Sequence, residues 1–162
     1  MVEFVAGDLA VHPSHGVGRV ARIEERGTNA GPAAFYVLEI LESRLKVMVP
    51  VEAAARVGLR RVMGRAESDE ILAVLRAPEV AVGAQPWNRR FRAYSDMVKS
   101  GQPLEIAKVL RDMNRLRTGK ELSFGERRLL DQARGLLLQE LALARRVPAS
   151  EVEQEIDAIF AG

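Results

Sequence analysis

Residues 35–49 read Phe-Tyr-Val-Leu-Glu-Ile-Leu-Glu-Ser-Arg-Leu-Lys-Val-Met-Val. Two β-rich runs, Phe35–Leu41 and Arg44–Val49, flank the two-residue connection Glu42-Ser43, which is the spacing of a β-hairpin. In the second run Leu45, Val47 and Val49 alternate with Arg, Lys and Met, so the alternation predicts one buried and one outward face. This stretch indicates that the first part of the chain is a β-sheet module.

Shorter β-rich segments precede this hairpin. The sequence predicts strands at Leu9–His12 and Val17–Glu24, with a possible bulge at Gly18, and a turn across Gly27–Pro32. Val57–Arg60 is a possible final strand. Four or five short strands in about sixty residues are typical of a small barrel of the SH3 or Tudor kind. We therefore predict a β-barrel domain over residues 1–61.

From about residue 66 the apolar period changes to that of a helix. Helix starts are predicted near Ser68, Pro86 and Pro103, because acidic first turns and a first-position proline favour helix N-termini. Ser123-Phe-Gly-Glu126 and Ser150-Glu-Val-Glu153 have the pattern of capping boxes that start two further helices. The helix after Ser123 carries one long apolar stripe: Leu129, Leu130, Ala133, Leu136, Leu137, Leu141 and Ala144. Residues 66–162 are thus predicted to form a compact domain of about five helices, with the stripe inside it and the protein a monomer.

Several functional classes are disfavoured by composition. The 162 residues include no cysteine, and no apolar stretch approaches the ~20 residues that span a bilayer. The N-terminus lacks the features of a signal peptide, so we expect a cytoplasmic protein without a membrane partner. The only histidines, His12 and His15, are too few for a structural metal site, and no nucleophile or phosphate-loop motif is present. We expect no catalytic residue, metal or cofactor.

Positive charge is concentrated in the helical part. Residues 86–120 carry nine Lys/Arg and three Asp/Glu, an excess of six, whereas residues 1–60 are balanced at seven of each. Within this region Pro86–Tyr94 contains the only tryptophan, Trp87, followed by three arginines. Arginine and a helix N-terminus both favour phosphate, and an aromatic ring can enter a base step. The spacing of Trp87, Phe91 and Tyr94 on one helical face, taken alone, favours Trp87 as a core residue.

The chain resembles the CarD/CdnL family of bacterial RNA polymerase-binding proteins. The matching segments run in order along nearly the whole chain: Gly7–Pro13 with Gly16–Gly18, Phe35–Leu38, Met48–Glu52, Val57–Arg60, Leu75–Pro78, Trp87–Arg90, Ile106–Asp112, Leu122–Arg127 and Ala133–Arg134. The resemblance implies a Tudor-like barrel that binds the polymerase β subunit, joined to a helical domain. The chain lacks the DNA-hook and metal-binding regions of longer CarD relatives, so it is expected to be the short, CdnL-like form.

The resemblance also implies roles for individual residues. Arg26, Met48 and Pro50 match polymerase-contacting positions, and the outward Lys46 on the same strand is expected to join them. The motif that includes Trp87, Arg89 and Arg90 matches the promoter-contacting segment, and its neighbours Asn88 and Arg92 are included in the predicted DNA surface. Trp87 would enter the minor groove at the upstream edge of the melted promoter and stabilise the open complex.

Two functional hypotheses remain at this point. The first is a polymerase-tethered transcription regulator, and the second is a free-standing, non-specific DNA-binding repressor or architectural protein. A basic patch of six excess charges predicts weak unaided DNA binding, which favours tethering. Neither hypothesis specifies which promoters respond, or whether a given gene is activated or repressed.

Overall fold

The computed structural model describes residues 3–78, 87–116 and 122–161. The chain divides into two compact units, Met1–Val62 and Met63–Gly162. The first unit is built on a β-sheet and the second from helices. The predicted fold class, a small Tudor-like β-module followed by an all-α domain of about five helices, is confirmed.

The first unit contains a four-stranded antiparallel sheet in the order β1-β2-β3-β4. The strands are β1 (Leu9–His12), β2 (Gly16–Thr28), β3 (Gly31–Ile40) and β4 (Lys46–Pro50). One 3-10 turn, Val51–Ala53, and a short helix, α1 (Ala54–Val57), follow β4. The core of this unit combines sheet residues with residues that flank the sheet in the chain: Ala10, Val20, Tyr36, Leu38, Ile40 and Val49 come from the strands, and Phe4, Ala54 and Leu59 from outside them.

Several local predictions for the sheet are wrong. The turn predicted over Gly27–Pro32 is confined to residues 29–30, because β2 and β3 pair as far as Thr28 and Gly31. The irregularity in β2 falls between Val20 and Arg22 rather than at Gly18. A Cβ at Gly18 would meet the Ile40 side chain at 3.1 Å and the Glu39 carbonyl oxygen at 3.2 Å, so close packing explains this glycine.

The start of β4 also differs from the prediction. Arg44 adopts a left-handed φ of 64°, which turns the chain so that β4 begins at Lys46. Leu45, predicted to fill the barrel, therefore lies outside the strand and is 53% exposed. Val57–Arg60 forms no strand: Gly58 ends α1 with φ 99°, and only Arg60 bridges to Val11 of β1.

The described residues of the second unit form five helices. They are α2 (Arg65–Arg76), α3 (Trp87–Lys99), α4 (Pro103–Leu116), α5 (Phe124–Arg145) and α6 (Ala149–Ala161). The predicted helix start at Pro103 is confirmed, whereas α2 begins three residues before the predicted Ser68. The predicted start at Pro86 lies outside the described residues. No helix in the described ranges combines the length and apolar character that crossing a membrane requires.

The stripe of α5 lies in the core of the helical unit, as predicted. Leu129, Leu130, Ala133, Leu137 and Leu141 are buried, and Leu136 and Ala144 pack against them. The predicted cap is also present, because the Ser123 hydroxyl accepts a hydrogen bond from the Glu126 backbone N–H at 3.2 Å. The second predicted capping box is wrong. The Pro148 carbonyl accepts from the amides of Glu151 and Val152, so α6 begins at Ala149 and Ser150 lies inside the helix.

Candidate functional site

The four sequence-predicted polymerase contacts share one face of the sheet. Lys46, Met48 and Pro50 alternate along β4 and therefore point to the same side. Pro50 pairs with Phe35, two residues along β3 from Ala33, and Ala33 pairs with Arg26. Directly paired residues of an antiparallel sheet carry their side chains on the same face. Arg26 thus lies on the face of Lys46, Met48 and Pro50, one strand beyond β3; we call this surface, with Phe35, the outer face.

Two further features of the outer face were not predicted from the sequence. Phe35 is only partly buried beside Pro50. The Glu24 carboxylate lies 3.7 Å from Arg22 and 3.6 Å from Arg26, so it forms ion pairs with both solvent-exposed arginines along β2. Both features follow from the strand register, which is known only once β2, β3 and β4 are aligned as a sheet.

An open depression adjoins the outer face at the hairpin end. It has a volume of about 450 Å³ and is lined by residues 28–34 of the β2–β3 hairpin, Asn29 excepted, and by Pro50, Val51 and Glu52. The strand β4 is also the last strand in the sheet order, and no strand in the described part of the chain pairs along its outer side. A free strand edge beside an open depression can accept an extended segment of a partner protein.

The basic start of α3 presents its arginines in two ways. The backbone of Trp87 begins the helix, and the side chains of Trp87 and Asn88 lie outside the described residues. Arg89 and Arg92 are exposed, whereas Arg90 is partly buried and its Nε is shielded from solvent. Exposed guanidinium groups are available to phosphates; a shielded one is less so.

Beneath α3 lies a buried polar cluster that connects it to α4. The Tyr94 hydroxyl donates to Asp112 Oδ2 at 3.1 Å, and Arg111 Nε donates to Asp112 Oδ1 at 3.0 Å. Tyr94 and Asp112 are fully buried and Arg111 is nearly so. Burial, and then the Asp112 charge and hydrogen bond, raise the pKa of Tyr94 well above its usual range, while Arg90 and Arg111 oppose this shift. The Tyr94 phenol therefore remains a donor to Asp112. We call Tyr94, Arg111 and Asp112 the buried polar cluster.

An exposed aromatic residue lies beside α3 at the start of α5. Phe124 is 82% exposed, the most exposed large apolar side chain of the described chain. The next residue, Gly125, approaches the Phe91 ring of α3, since a Cβ there would lie 3.6 Å from Phe91 Cζ. Arg127 and Arg128, in the same first turns, are exposed. Sequence reasoning treated this segment only as a helix cap; the available signal was that Phe124 falls outside the apolar stripe of α5.

The two histidines form a compact turn rather than a ligand set. Their rings lie 4.8 Å apart, and His12 Nδ1 accepts from the backbone amides of Ser14 at 3.1 Å and His15 at 3.4 Å. A ring nitrogen that accepts these bonds has its lone pair engaged within the turn. In residues 3–78, 87–116 and 122–161, His, Cys, Asp and Glu side chains form no group of three or more that could hold a metal ion.

Comparison with known proteins identifies the family. A model of the CarD C-terminal domain matches residues 70–157, which is more than half of the chain. The chain belongs to the CarD family. A second family model, the CarD-like/TRCF RID domain, matches residues 4–63.

This CarD-family chain is also similar to individual proteins. "Putative transcription factor YdeB" of Bacillus subtilis (strain 168) is 28% identical over 150 residues, covering 93% of this chain and 97% of the relative. A solved structure described as "CdnLNt from Myxoccoccus xanthus" is 40% identical, with a TM-score of 0.33, and covers 39% of this chain and 89% of its own. The family consists of transcription factors of the CarD/CdnL type, so the class predicted from the sequence, a transcription regulator rather than an enzyme, agrees with the family.

Proposed function

We propose that this CarD-family protein binds the RNA polymerase β subunit through the outer face and the edge of β4, and stabilises the open promoter complex through the start of α3. The observation that carries the first half is the strand register, which brings Arg26, Lys46, Met48 and Pro50 to one side of the sheet next to a free strand edge. The CarD-like/TRCF RID match over residues 4–63 supports the same assignment.

The polymerase contact is proposed to combine a strand edge with side chains. Free backbone groups along β4 would hydrogen-bond an extended segment of the β subunit, which supplies affinity with little sequence information. Met48 is unbranched and polarizable, so it adapts to an apolar partner surface, and Pro50 borders the depression at the hairpin end. Arg26 and Lys46, both exposed, would provide charge contacts at opposite ends of this surface.

The DNA contact is proposed to come from the exposed basic start of α3. Arg89 and Arg92 would bind phosphates, with Trp87 and Asn88 at the edge of the melted region. Inserting an aromatic ring at a base step costs a few kcal/mol of unstacking, and this cost is lowest where the strands are already separating. Such a contact would favour the open over the closed complex, so the protein would shift a population rather than read a sequence. The exposed ring of Phe124, at the start of α5, lies close to this surface.

The polymerase surface is tested by the substitution Met48→Glu. A carboxylate on the outer face should weaken pull-down of the β subunit without unfolding the sheet, because Met48 is only partly buried. Val5→Glu is the matched control, since Val5 is 64% exposed and lies before β1, at the opposite end of the strand order from β4. Equal binding by wild type and Met48→Glu would remove the outer face from the proposal.

The DNA surface is tested by Trp87→Ala, measured for both melting temperature and open-complex half-life. A contact at the DNA predicts a shorter half-life with nearly unchanged stability and polymerase binding. Truncation of a tryptophan in the core would instead cost about 3–5 kcal/mol of stability. A large loss of stability with general loss of binding would contradict the DNA contact. Promoter binding that is equally tight without polymerase would favour the free-standing DNA-binding alternative.

A further inference from the structure

We propose that Arg90 is a positioning residue rather than a phosphate contact: together with the buried polar cluster it locks the start of α3 onto α4, and this holds the exposed Arg89 and Arg92 toward DNA. The inference rests on the proposed DNA contact of α3. It separates three arginines that lie within four residues of each other and that sequence reasoning treated as equivalent.

The phase of the helix separates these arginines. Arg90 precedes Tyr94 by four residues and so shares its face, whereas at 100° per residue Arg89 and Arg92 point about 120° and 180° away from that face. Exposure follows the same division, since Arg89 and Arg92 are exposed and Arg90 is partly buried with its Nε shielded. The charge of Arg90 acts on the Tyr94 phenol, which itself is fully buried. Arg90 is therefore directed toward the cluster and away from the phosphate-facing side.

The cluster is built as a lock between helices. Asp112 of α4 is fully buried and receives one hydrogen bond from Tyr94 of α3 and one from its own neighbour, Arg111. The guanidinium of Arg111 also reaches the Val74 carbonyl of α2 at 3.4 Å. A buried carboxylate is stable only when its charge is balanced and its oxygens are hydrogen-bonded. The hydrogen bonds of Asp112 and Arg111 thus connect α2, α3 and α4. Rotation of α3 about its axis would remove the Tyr94 hydroxyl as a donor to Asp112.

The orientation of α3 decides what its exposed side meets. Contacts with phosphate and with a base step depend on geometry, and a displacement of about 1 Å is enough to lose them. The positive charge of Arg90 lies on the cluster-facing side of α3 and acts on the Tyr94 phenol, so it disfavours rotation of the first turns of α3. Loss of Arg90 should therefore weaken the DNA contact without removing a phosphate contact.

The salt dependence of promoter binding distinguishes contact from positioning. The experiment measures open-complex half-life and its salt slope for the full protein with polymerase and promoter. Arg89→Gln should lower the slope by about one unit, as expected for one lost phosphate contact. Arg90→Gln should shorten the half-life and leave the slope unchanged. Tyr94→Phe, which removes only a hydroxyl from the cluster, should reproduce the Arg90→Gln behaviour.

A double-substitution cycle tests whether Arg90 acts through the cluster. The double variant Tyr94→Phe/Arg90→Gln should have a half-life only slightly shorter than that of the more affected single variant, because both substitutions disturb the same cluster. Tyr94→Phe combined with Arg89→Gln should be additive. Ser68→Ala controls for general destabilisation, since Ser68 is fully buried in α2 away from these contacts and should change the melting temperature but not the half-life.

The outcomes separate this inference from the proposed function. Two results together would overturn the positioning role while supporting the DNA contact. The salt slope of Arg90→Gln would fall by as much as that of Arg89→Gln, and the effects of Arg90→Gln and Tyr94→Phe on the half-life would be additive. If Arg89→Gln, Arg90→Gln and Trp87→Ala all leave the half-life unchanged, the DNA contact itself fails. In that case the melting temperatures of the same variants still test whether Arg90 acts through the buried polar cluster. Additive decreases in melting temperature for Arg90→Gln and Tyr94→Phe would rule this out.

Discussion

At the scale of single residues, Phe124 is the clearest case of an apolar side chain kept outside the core. It is 82% exposed at the first position of α5. Phe124→Ala should leave the free energy of unfolding within about 0.5 kcal/mol of wild type, as for other exposed positions, and should shorten the open-complex half-life. Leu137→Ala on the same helix is the control, since loss of a buried leucine costs about 2–5 kcal/mol. A half-life unaffected by Phe124→Ala would exclude this ring from the DNA surface.

His12 gives the sheet unit a defined pH response. Burial, and then the charge of His15, lower the pKa of His12 from its usual 6.5, so the unfolded chain binds a proton there more readily than the folded chain. The contribution of His12 to stability should therefore be constant above pH 6.5 and fall as the pH drops below this value, until the folded-state pKa of His12 is passed. His12→Asn keeps an acceptor for the Ser14 amide and should reduce this loss when melting temperatures are compared from pH 8 to pH 5. An identical pH dependence in the variant would assign the response elsewhere.

At the scale of elements, two serines that look alike in sequence have different roles. Ser123→Ala removes the side-chain acceptor at the start of α5 and should cost about 1 kcal/mol of stability. Ser150→Ala should cost little, because Ser150 lies within α6 and the Pro148 carbonyl begins that helix. Urea unfolding of both variants measures the difference. Equal losses would contradict the assigned start of α6.

Features of the fold that depend on residues close in sequence were predicted, whereas features that depend on distant contacts or on local backbone conformation were missed. The strand β1, the start of α4 and the stripe of α5 follow from short-range patterns and were predicted correctly. The exposure of Leu45 was missed because it depends on the left-handed φ of Arg44, which alternation does not encode. The bulge in β2 was assigned to Gly18, whose lack of a side chain instead reflects contact with β3.

The candidate surfaces were predictable to a similar degree. Family motifs indicated Arg26, Met48 and Pro50, and the alternation of β4 added Lys46, but only the sheet register shows that Arg26 lies on the same face as the other three. Charge counting found the basic segment of α3, yet it could not distinguish Arg90 from the exposed Arg89. That distinction requires the helix α4 and its buried Asp112, which lies far along the chain.

At the scale of the whole molecule, the connection between the two units is short. Arg60 is hydrogen-bonded to Val11 in the first unit, and the Met63 amide donates to Glu140 in the second at 2.8 Å. Only Arg61 and Val62 lie between these anchors, and Arg61 itself donates to the Glu3 carbonyl at 2.6 Å. A short tether gives the second binding event a high effective concentration once the first has occurred.

Lengthening this tether should separate the two proposed activities. Insertion of a ten-residue Gly/Ser segment between Arg61 and Val62 should leave β-subunit pull-down unchanged and shorten the open-complex half-life, since effective concentration falls with linker length. Insertion of the same segment in the turn at residues 29–30 is the control for a general effect of added chain. A half-life that is insensitive to the tether would mean that the helical unit acts without help from the polymerase-bound sheet.

The buried polar cluster also limits how this chain can evolve. Loss of Asp112 alone leaves the Arg111 charge uncompensated, and loss of Arg111 alone leaves a buried carboxylate with one charge partner fewer. Each single step therefore passes through a poorly folded intermediate, although a fully apolar set of similar volume could be as stable as the original. Descendants of a common ancestor should inherit Tyr94, Arg111 and Asp112 together or exchange them together. In a library of random substitutions, these positions should show strong pairwise epistasis, while Arg89 and Arg92 vary independently for stability.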